Sequence, residues 1–219
     1  MSFAPPSSVR RAVLERRIRW IVAGSITYNV IEAAIALAAG AVASSSALLG
    51  FGLDSVVEVL SAAAVAWQFA GRDPEARERP ALRAIAVSFL GLAAFVTLDA
   101  VRTLLGSEPP RHSPVGVGLA VASLLIMPAL SWLERRNGRE LGSATAVADS
   151  RQTLLCAGLS AVLLAGLLAN ATLGWAWADP VAALLIAAWA AREGIEAWRG
   201  EAEHVPVSVM FAGSEDDPG

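Results

Sequence analysis

Two carboxylates lie inside an apolar stretch of the chain. Residues 44–67, S-S-S-A-L-L-G-F-G-L-D-S-V-V-E-V-L-S-A-A-A-V-A-W, carry Asp54 and Glu58 among alanine, valine, leucine and glycine. Side chains four residues apart lie on one face of a helix, one turn from each other. Two carboxylates held that close repel unless a cation or a proton lies between them. The spacing therefore predicts a site for a cation or a proton.

A soluble amphipathic helix with an acidic stripe is the alternative interpretation of this stretch. The rest of the segment, however, offers no polar stripe to accompany the two acids. In a membrane span, a charged side chain near the bilayer centre costs about 2.5–3.5 kcal/mol on insertion scales and marks a functional site. We therefore expect Asp54 and Glu58 to be functional groups within a membrane helix.

Composition supports this membrane assignment. The chain has 219 residues, of which 55% are hydrophobic and 17% charged, and its mean hydropathy is +0.54. Soluble domains have about 25% charged residues. The single cysteine, Cys156, excludes an intrachain disulfide. No signal peptide and no phosphate-binding loop are evident, so we expect neither cleavage of a leader nor an ATP-driven pump. The net charge of −3 says little, because in a membrane protein the distribution of charge matters more than its sum. We expect no nucleic-acid partner.

Six apolar segments are each close to the ~20 residues that a helix needs to cross a bilayer. The predicted spans are residues 19–42, 46–70, 84–105, 115–133, 144–169 and 180–198. The predicted fold is thus an all-α membrane bundle of six transmembrane helices. Its predicted parts are an N-terminal tail over residues 1–18, the bundle over 19–199 and a disordered acidic tail over 200–219.

Arginines predict the orientation of the bundle. They concentrate in the N-terminal tail, in the loops 71–83 and 134–143, and at the C-terminal end. The positive-inside rule places those segments, and both termini, in the cytoplasm. Tryptophans fall at both predicted interfaces, as an aromatic belt requires. The belt residues are Trp20, Trp67, Trp132 and Trp198 on the inner side and Trp175 and Trp177 on the outer side.

Helical rise predicts which polar side chains share a depth. At about 1.5 Å per residue, Asp54 and Glu58 lie roughly 12 and 18 Å below the outer surface, and Cys156 and Gln152 in the fifth span roughly 20 and 26 Å below it. The second and fifth spans run in opposite directions. Allowing for tilt, we expect Asp54 to face the level of Cys156, and Glu58 the level of Gln152.

Each partner residue has a structural alternative. Cys156 is also typical of a small buried apolar side chain, and Gln152 of a hydrogen bond between helices. Asn29 and Glu32 of the first span are either partners of each other or part of the site.

Three further polar positions favour structural roles. Asp99 and Arg102 are spaced for a local ion pair at the outer interface. Asp179 precedes Pro180 and is predicted to cap the sixth helix.

The second and fifth predicted spans resemble those of a known family, the cation diffusion facilitators. The segment A-S-S-S-A-L-L-G-F-G-L-D-S-V-V-E-V-L-S is similar to that family's second transmembrane helix, where an acidic pair at D-x-x-x-D spacing holds a divalent metal. The segment around A-D-S-R-Q-T-L-L-C resembles its fifth helix, with the pattern A-D-x-x-H-x-x-x-D. In register, Asp149 matches the first Asp, Gln152 stands at the His position and Cys156 at the last Asp. The resemblance implies a metal set of Asp54, Glu58, Gln152 and Cys156.

Two departures from the family pattern bear on function. No histidine lies in any span, because His112 is in an outer loop and His204 in the tail. We also expect no counterpart of the family's cytoplasmic metal-binding domain, so the chain resembles the short six-span form. Zinc accepts thiolate and carboxylate ligands. A set containing sulfur is softer and could also admit cadmium, copper or iron. Besides Zn²⁺, the transported ions we consider are Cd²⁺, Fe²⁺ and Mn²⁺.

The sequence therefore predicts a secondary transporter, not an enzyme, in a bacterial plasma membrane. Its expected cargo is a divalent cation, Zn²⁺ first, exchanged for protons, with no permanently bound cofactor. Since metal ligands must be deprotonated, protons and metal compete for them. The lipid bilayer and, by resemblance, a second copy of the chain are its expected partners. The alternative is a metal sensor or structural protein with a degenerate site. An intramembrane enzyme is disfavoured because no histidine base lies at depth.

Overall fold

The computed structural model describes residues 8–69, 74–106, 109–141 and 144–199. The predicted C-terminal tail, residues 200–219, and the first seven residues of the predicted N-terminal tail lie outside these ranges.

The described residues form six α-helices and no strand, which confirms the predicted all-α bundle. The helices are α1 Ser8–Ala43, α2 Ser46–Phe69, α3 Pro74–Leu104, α4 Pro114–Leu141, α5 Ala144–Leu173 and α6 Ala178–Arg199. Within the described ranges, five of them are long and apolar enough to cross a bilayer. The remaining helix, α6, has 22 residues and therefore sufficient length, but it carries Asp179, Arg192, Glu193 and Glu196.

Several helices extend beyond the predicted apolar spans. Helix α1 begins at Ser8, α3 at Pro74, and α4 continues to Leu141. The predicted loop 134–143 is therefore mostly helix. Hydropathy marks only the part of a helix that fits the hydrocarbon layer, while the backbone hydrogen bonds continue into the charged segment beyond it. One result is that Glu134, predicted to lie in a loop, is buried on α4, where its Oε2 accepts a hydrogen bond of 2.9 Å from Thr153 Oγ1.

Helix α2 lies at the centre of the bundle. It contacts α1, α3, α5 and α6, while α3 pairs with α6 and α4 with α5. The main apolar core includes Phe51 and Val57 of α2 with Phe89 and Val96 of α3 and Ile186 of α6. The helix that carries the acidic pair is therefore held by neighbours on several sides.

Three consecutive serines make the turn into α2, and each has a different task. Ser44 takes a left-handed conformation, with φ of 53°, and the amide of Ser45 donates to the carbonyl of Gly40, which ends α1 in a Schellman motif. The Ser45 hydroxyl accepts from the amide of Leu48 at 3.1 Å and so caps α2. The Ser46 hydroxyl donates to Asp99 of α3 at 2.6 Å. The turn fixes where α2 begins and how deep its acids lie.

Small residues bring α1 and α2 into close contact. A Cβ added at Gly52 would lie 3.0 Å from Ala36 Cβ and 3.0 Å from the Leu37 amide nitrogen. No side chain larger than hydrogen fits at this contact without a shift of the helices. The two helices run antiparallel, and the contacts continue inward: each step of three residues forward along α2 matches a step of three or four residues back along α1.

Candidate metal centre

The register between α1 and α2 determines the first contacts of the acidic pair. Three residues after Gly52, Ser55 donates to Glu32 at 2.9 Å, and three residues later Glu58 Oε2 accepts a bond of 2.8 Å from Asn29 Nδ2. Asn29 and Glu32 are both buried. The sequence left open whether Asn29 and Glu32 contact each other or the site. In the structure, Asn29 contacts Glu58 of the acidic pair directly, and Glu32 contacts Ser55, the residue next to Asp54.

Helix α5 approaches Glu58 from the other side. The Cys156 thiol donates to Glu58 Oε1, so the two oxygens of one carboxylate receive donors from two different helices. Cys156 is therefore at the level of Glu58, one helical turn deeper than the predicted pairing with Asp54. The predicted fifth span ended at residue 169, whereas α5 continues to Leu173. The depths expected from helical rise, roughly 18 Å for Glu58 and 20 Å for Cys156, already place these two residues at one level.

Asp54, Glu58 and Cys156 form one cluster. One potential ligand atom from each lies within 4.8 Å of the others. Asp54 and Cys156 are buried, and Glu58 is partly buried. In a tetrahedral zinc site, ligand atoms 2.0–2.3 Å from the metal are roughly 3.3–3.8 Å from each other. The cluster is therefore close to the size of such a site, with Cys156 and Glu58 already in direct contact, and rotation of the side chains can supply the remaining adjustment.

The fourth predicted ligand, Gln152, has a side chain outside the part of the protein that the structure describes. It is on α5, as is Asp149, whose side chain is likewise not described. The structure therefore brings together three of the four predicted ligands. Gln152 stays a prediction.

A hydrogen-bonded network lies directly behind the cluster. Glu32 is 2% exposed and accepts bonds from Ser55 of α2 and from Ser123 of α4. Tyr28 lies 2.7 Å from the Ser123 hydroxyl. Buried carboxylates need such donors to stay in an apolar interior. The network ties α1, α2 and α4 together and contributes a further carboxylate close to Asp54. Sequence alone did not identify Ser123, because a serine in a span is most often a helix-packing residue.

The outer polar residues do not have their predicted partners. Asp179, predicted to cap α6, instead accepts from the Ser45 hydroxyl and, at 3.2 Å, from the Ala47 amide at the start of α2. Asp99 accepts from Ser46 instead of pairing with Arg102, and no ion pair joins Asp99 to Arg102 in the part of the chain described. Both corrections have one cause. The N-terminal amides and serines of α2 are buried donors that need acceptors, and these two carboxylates provide them.

Comparison with known proteins agrees with this architecture. Residues 82–199, just over half of the chain, match the family model described as the cation efflux transmembrane domain. The chain is also 28% identical over 158 residues to an uncharacterized transporter from the cyanobacterium Synechocystis sp., an alignment that covers 68% of this chain and 51% of that protein. The chain thus spans about half the length of the curated relative it matches. The family match begins in α3, so it does not include Asp54 or Glu58.

Proposed function

This chain belongs to the cation efflux family, and we propose that its bundle carries a divalent metal cation, Zn²⁺ first, across the membrane in exchange for protons. The membership confirms the family resemblance seen in the sequence. Proteins of this kind are membrane transporters of metal cations. The identity of the cation, the exchange for protons and the residues that bind it are our proposal.

The donation from the Cys156 thiol to Glu58 supports this function most directly. A cation held by Asp54, Glu58 and Cys156 must take the place of the thiol proton, because the ligand is the thiolate. Binding of metal then releases a proton, and rebinding of a proton weakens the hold on the metal. Because metal and protons compete for the same ligand atoms, the transport of metal in one direction is coupled to the transport of protons in the other.

The position of the cluster suits alternating access. Asp54 and Glu58 lie on the central helix, between α1 on one side and α5 on the other. Rocking of helix pairs about α2 would open the cluster to one side of the membrane and then to the other. We propose that the protein acts in a bacterial plasma membrane with both termini in the cytoplasm, and as a homodimer joined through its transmembrane helices.

A second candidate function is metal sensing without transport, or a purely structural role. It is favoured by the missing histidine and by the hydrogen bonds that Glu58 already accepts from Asn29 and Cys156. A site that is satisfied without metal could serve packing alone. The two functions differ in whether metal crosses the bilayer.

Transport by the full chain in liposomes tests the proposal. With a zinc-sensitive dye and an acidic buffer inside, we expect zinc uptake that is faster than at equal pH on both sides. Asp54→Asn removes one charged ligand and should reduce uptake to the level of protein-free liposomes. Asp99→Asn is the matched control, since Asp99 is also an intramembrane acid but contacts Ser46 rather than the cluster.

Two outcomes would contradict the proposal. Uptake by the wild-type chain no faster than by empty liposomes would favour the sensing or structural function. Full uptake by Asp54→Asn would remove the acidic pair from the transport site.

A further inference from the structure

The amide oxygen of Asn29 accepts no hydrogen bond from any residue that the structure describes. The residue is 8% exposed, so more than nine-tenths of it is buried. Its Nδ2 donates to Glu58 Oε2 at 2.8 Å, but among the described residues its Oδ1 accepts no hydrogen bond. Buried polar atoms are nearly always paired, and each exception needs an explanation. This exception lies beside the proposed cation site.

The orphaned oxygen is close to the cluster by covalent geometry alone. In an amide group the nitrogen and oxygen are about 2.3 Å apart. Because Nδ2 is 2.8 Å from Glu58, the oxygen lies within about 5 Å of the same carboxylate. A rotation of the amide by half a turn exchanges the two atoms in space.

The charge on Glu58 explains which amide atom faces it. A carboxylate attracts the N–H group and repels the carbonyl oxygen, so the observed orientation is the favourable one when only Asn29 and Glu58 face each other. A cation between them would reverse the preference, since it attracts both oxygens. The Asn29 side chain is thus able to change from hydrogen-bond donor to metal ligand without movement of the backbone.

We infer that Asn29, in place of the predicted Gln152, supplies the fourth ligand of the transported cation through Oδ1, a role for the residue that rests on the proposed function. The described cluster offers three donors, from Asp54, Glu58 and Cys156, whereas closed tetrahedral zinc sites have four. Helix α1 thereby contributes to a site whose ligands the family resemblance places on α2 and α5.

This ligand affects which cations bind. The set becomes three oxygens and one sulfur, with no imidazole nitrogen. Oxygen ligands suit Mn²⁺ and other hard cations, and thiolate suits Zn²⁺ and softer ions. A neutral amide adds no charge to the three anionic ligands. We therefore expect a site of broad selectivity, less biased toward Zn²⁺ than one containing histidine.

Two substitutions separate a ligand from a hydrogen-bond donor. Asn29→Asp keeps an oxygen at the same position but loses the N–H group, and Asn29→Leu keeps the volume but loses both. If Oδ1 is a ligand, Leu should raise the Kd for Zn²⁺ at least tenfold, whereas Asp should bind as tightly as wild type or more so. The measurement is competition with a chelating dye on the purified full chain.

Asn137→Leu is the matched control, because Asn137 is also buried, at 7% exposed, but donates to Leu133 of its own helix. It should leave the Kd unchanged. The Asn29→His variant provides a second test, which does not depend on whether the Asn29→Leu protein folds correctly. An imidazole at a coordinating position should raise the preference for Zn²⁺ over Mn²⁺ about tenfold.

Three results would overturn the inference. A Kd for Asn29→Leu within twofold of wild type would mean that Oδ1 holds only water. Equal weakening by Asp and Leu would mean that the N–H group matters and the oxygen does not. An unchanged Zn²⁺/Mn²⁺ ratio in Asn29→His would exclude coordination at this position. Failure of the proposed function is distinguishable, because the wild-type chain would then show no zinc uptake into liposomes, whatever the Kd values of the Asn29 variants.

Discussion

The close contact between α1 and α2 predicts that Gly52→Ala destabilises the protein. The new methyl group would lie 3.0 Å from both Ala36 Cβ and Leu37 Cγ, whereas carbon atoms pack best at about 3.5–4.0 Å. The neighbouring atoms must therefore give way by a few tenths of an ångström, and since one of them is the Leu37 backbone nitrogen, α1 and α2 must move apart. Overpacking of this kind costs about 1–3 kcal/mol.

Gly91→Ala is the matched control for that substitution. Gly91 lies on α3, is exposed, and has no atom within 4 Å of an added Cβ. Alanine gains about 0.8–1.0 kcal/mol over glycine in a helix at either position. The difference between the two variants therefore isolates the packing cost.

Thermal unfolding of the two variants in the same detergent measures this difference. At about 2–4 °C per kcal/mol for a chain of this size, Gly52→Ala should unfold about 2–12 °C below Gly91→Ala. The separation of α1 from α2 should also break the 2.8 Å bond from Asn29 to Glu58 and weaken zinc binding. Equal unfolding temperatures would refute the close approach of the helices and with it the register that aligns Asn29 with Glu58.

Three further predictions concern individual residues. Zinc should slow the alkylation of Cys156 by a membrane-permeant maleimide, and an alkylation rate independent of zinc would make Cys156 a packing residue. The Cys156→Asp variant should keep transport while lowering the preference for Cd²⁺ relative to Mn²⁺. In a Cys156→Ser background, a cysteine at Glu75 should be protected from impermeant reagents in intact cells and one at Ser107 labelled, and the reverse pattern would invert the topology. Asp179→Ala leaves two buried donors at the start of α2 unpaired, so it should lower stability by about 1–3 kcal/mol without changing zinc affinity; a fall in affinity at full stability would argue against a structural role.

The bundle and its acidic pair could be predicted because membrane-spanning helices have a distinctive sequence pattern. A helix that must cross a bilayer needs a long apolar run, and charges such as Asp54 and Glu58 stand out within it. The six helices and the family followed from this pattern. Cys156 was also correctly brought to the pair, since opposite chain directions and helical rise limit which residues can meet.

Register and partners could not be predicted as well. The true end of α5 lies four residues past the predicted one, and Cys156 donates to Glu58 instead of facing Asp54, the residue with which the sequence paired it. Hydropathy does not show where α5 ends, because the polar residues Asn170 and Thr172 near its C-terminus are compatible with either helix or loop. Asp179 shows a similar limit. Its local sequence is typical of a cap for α6, but the buried amides of α2 compete for the same carboxylate through tertiary contact.

The most direct test of the account is the metal content of the purified full chain. After equilibration with Zn²⁺ and removal of free ions, we predict one bound cation for each chain in the wild type and in Asp99→Asn. We predict none in Glu58→Gln, because Glu58 is the residue that contacts both Asn29 and Cys156. A wild-type chain without bound metal, or a Glu58→Gln variant that retains it, would contradict the assignment of the cation site.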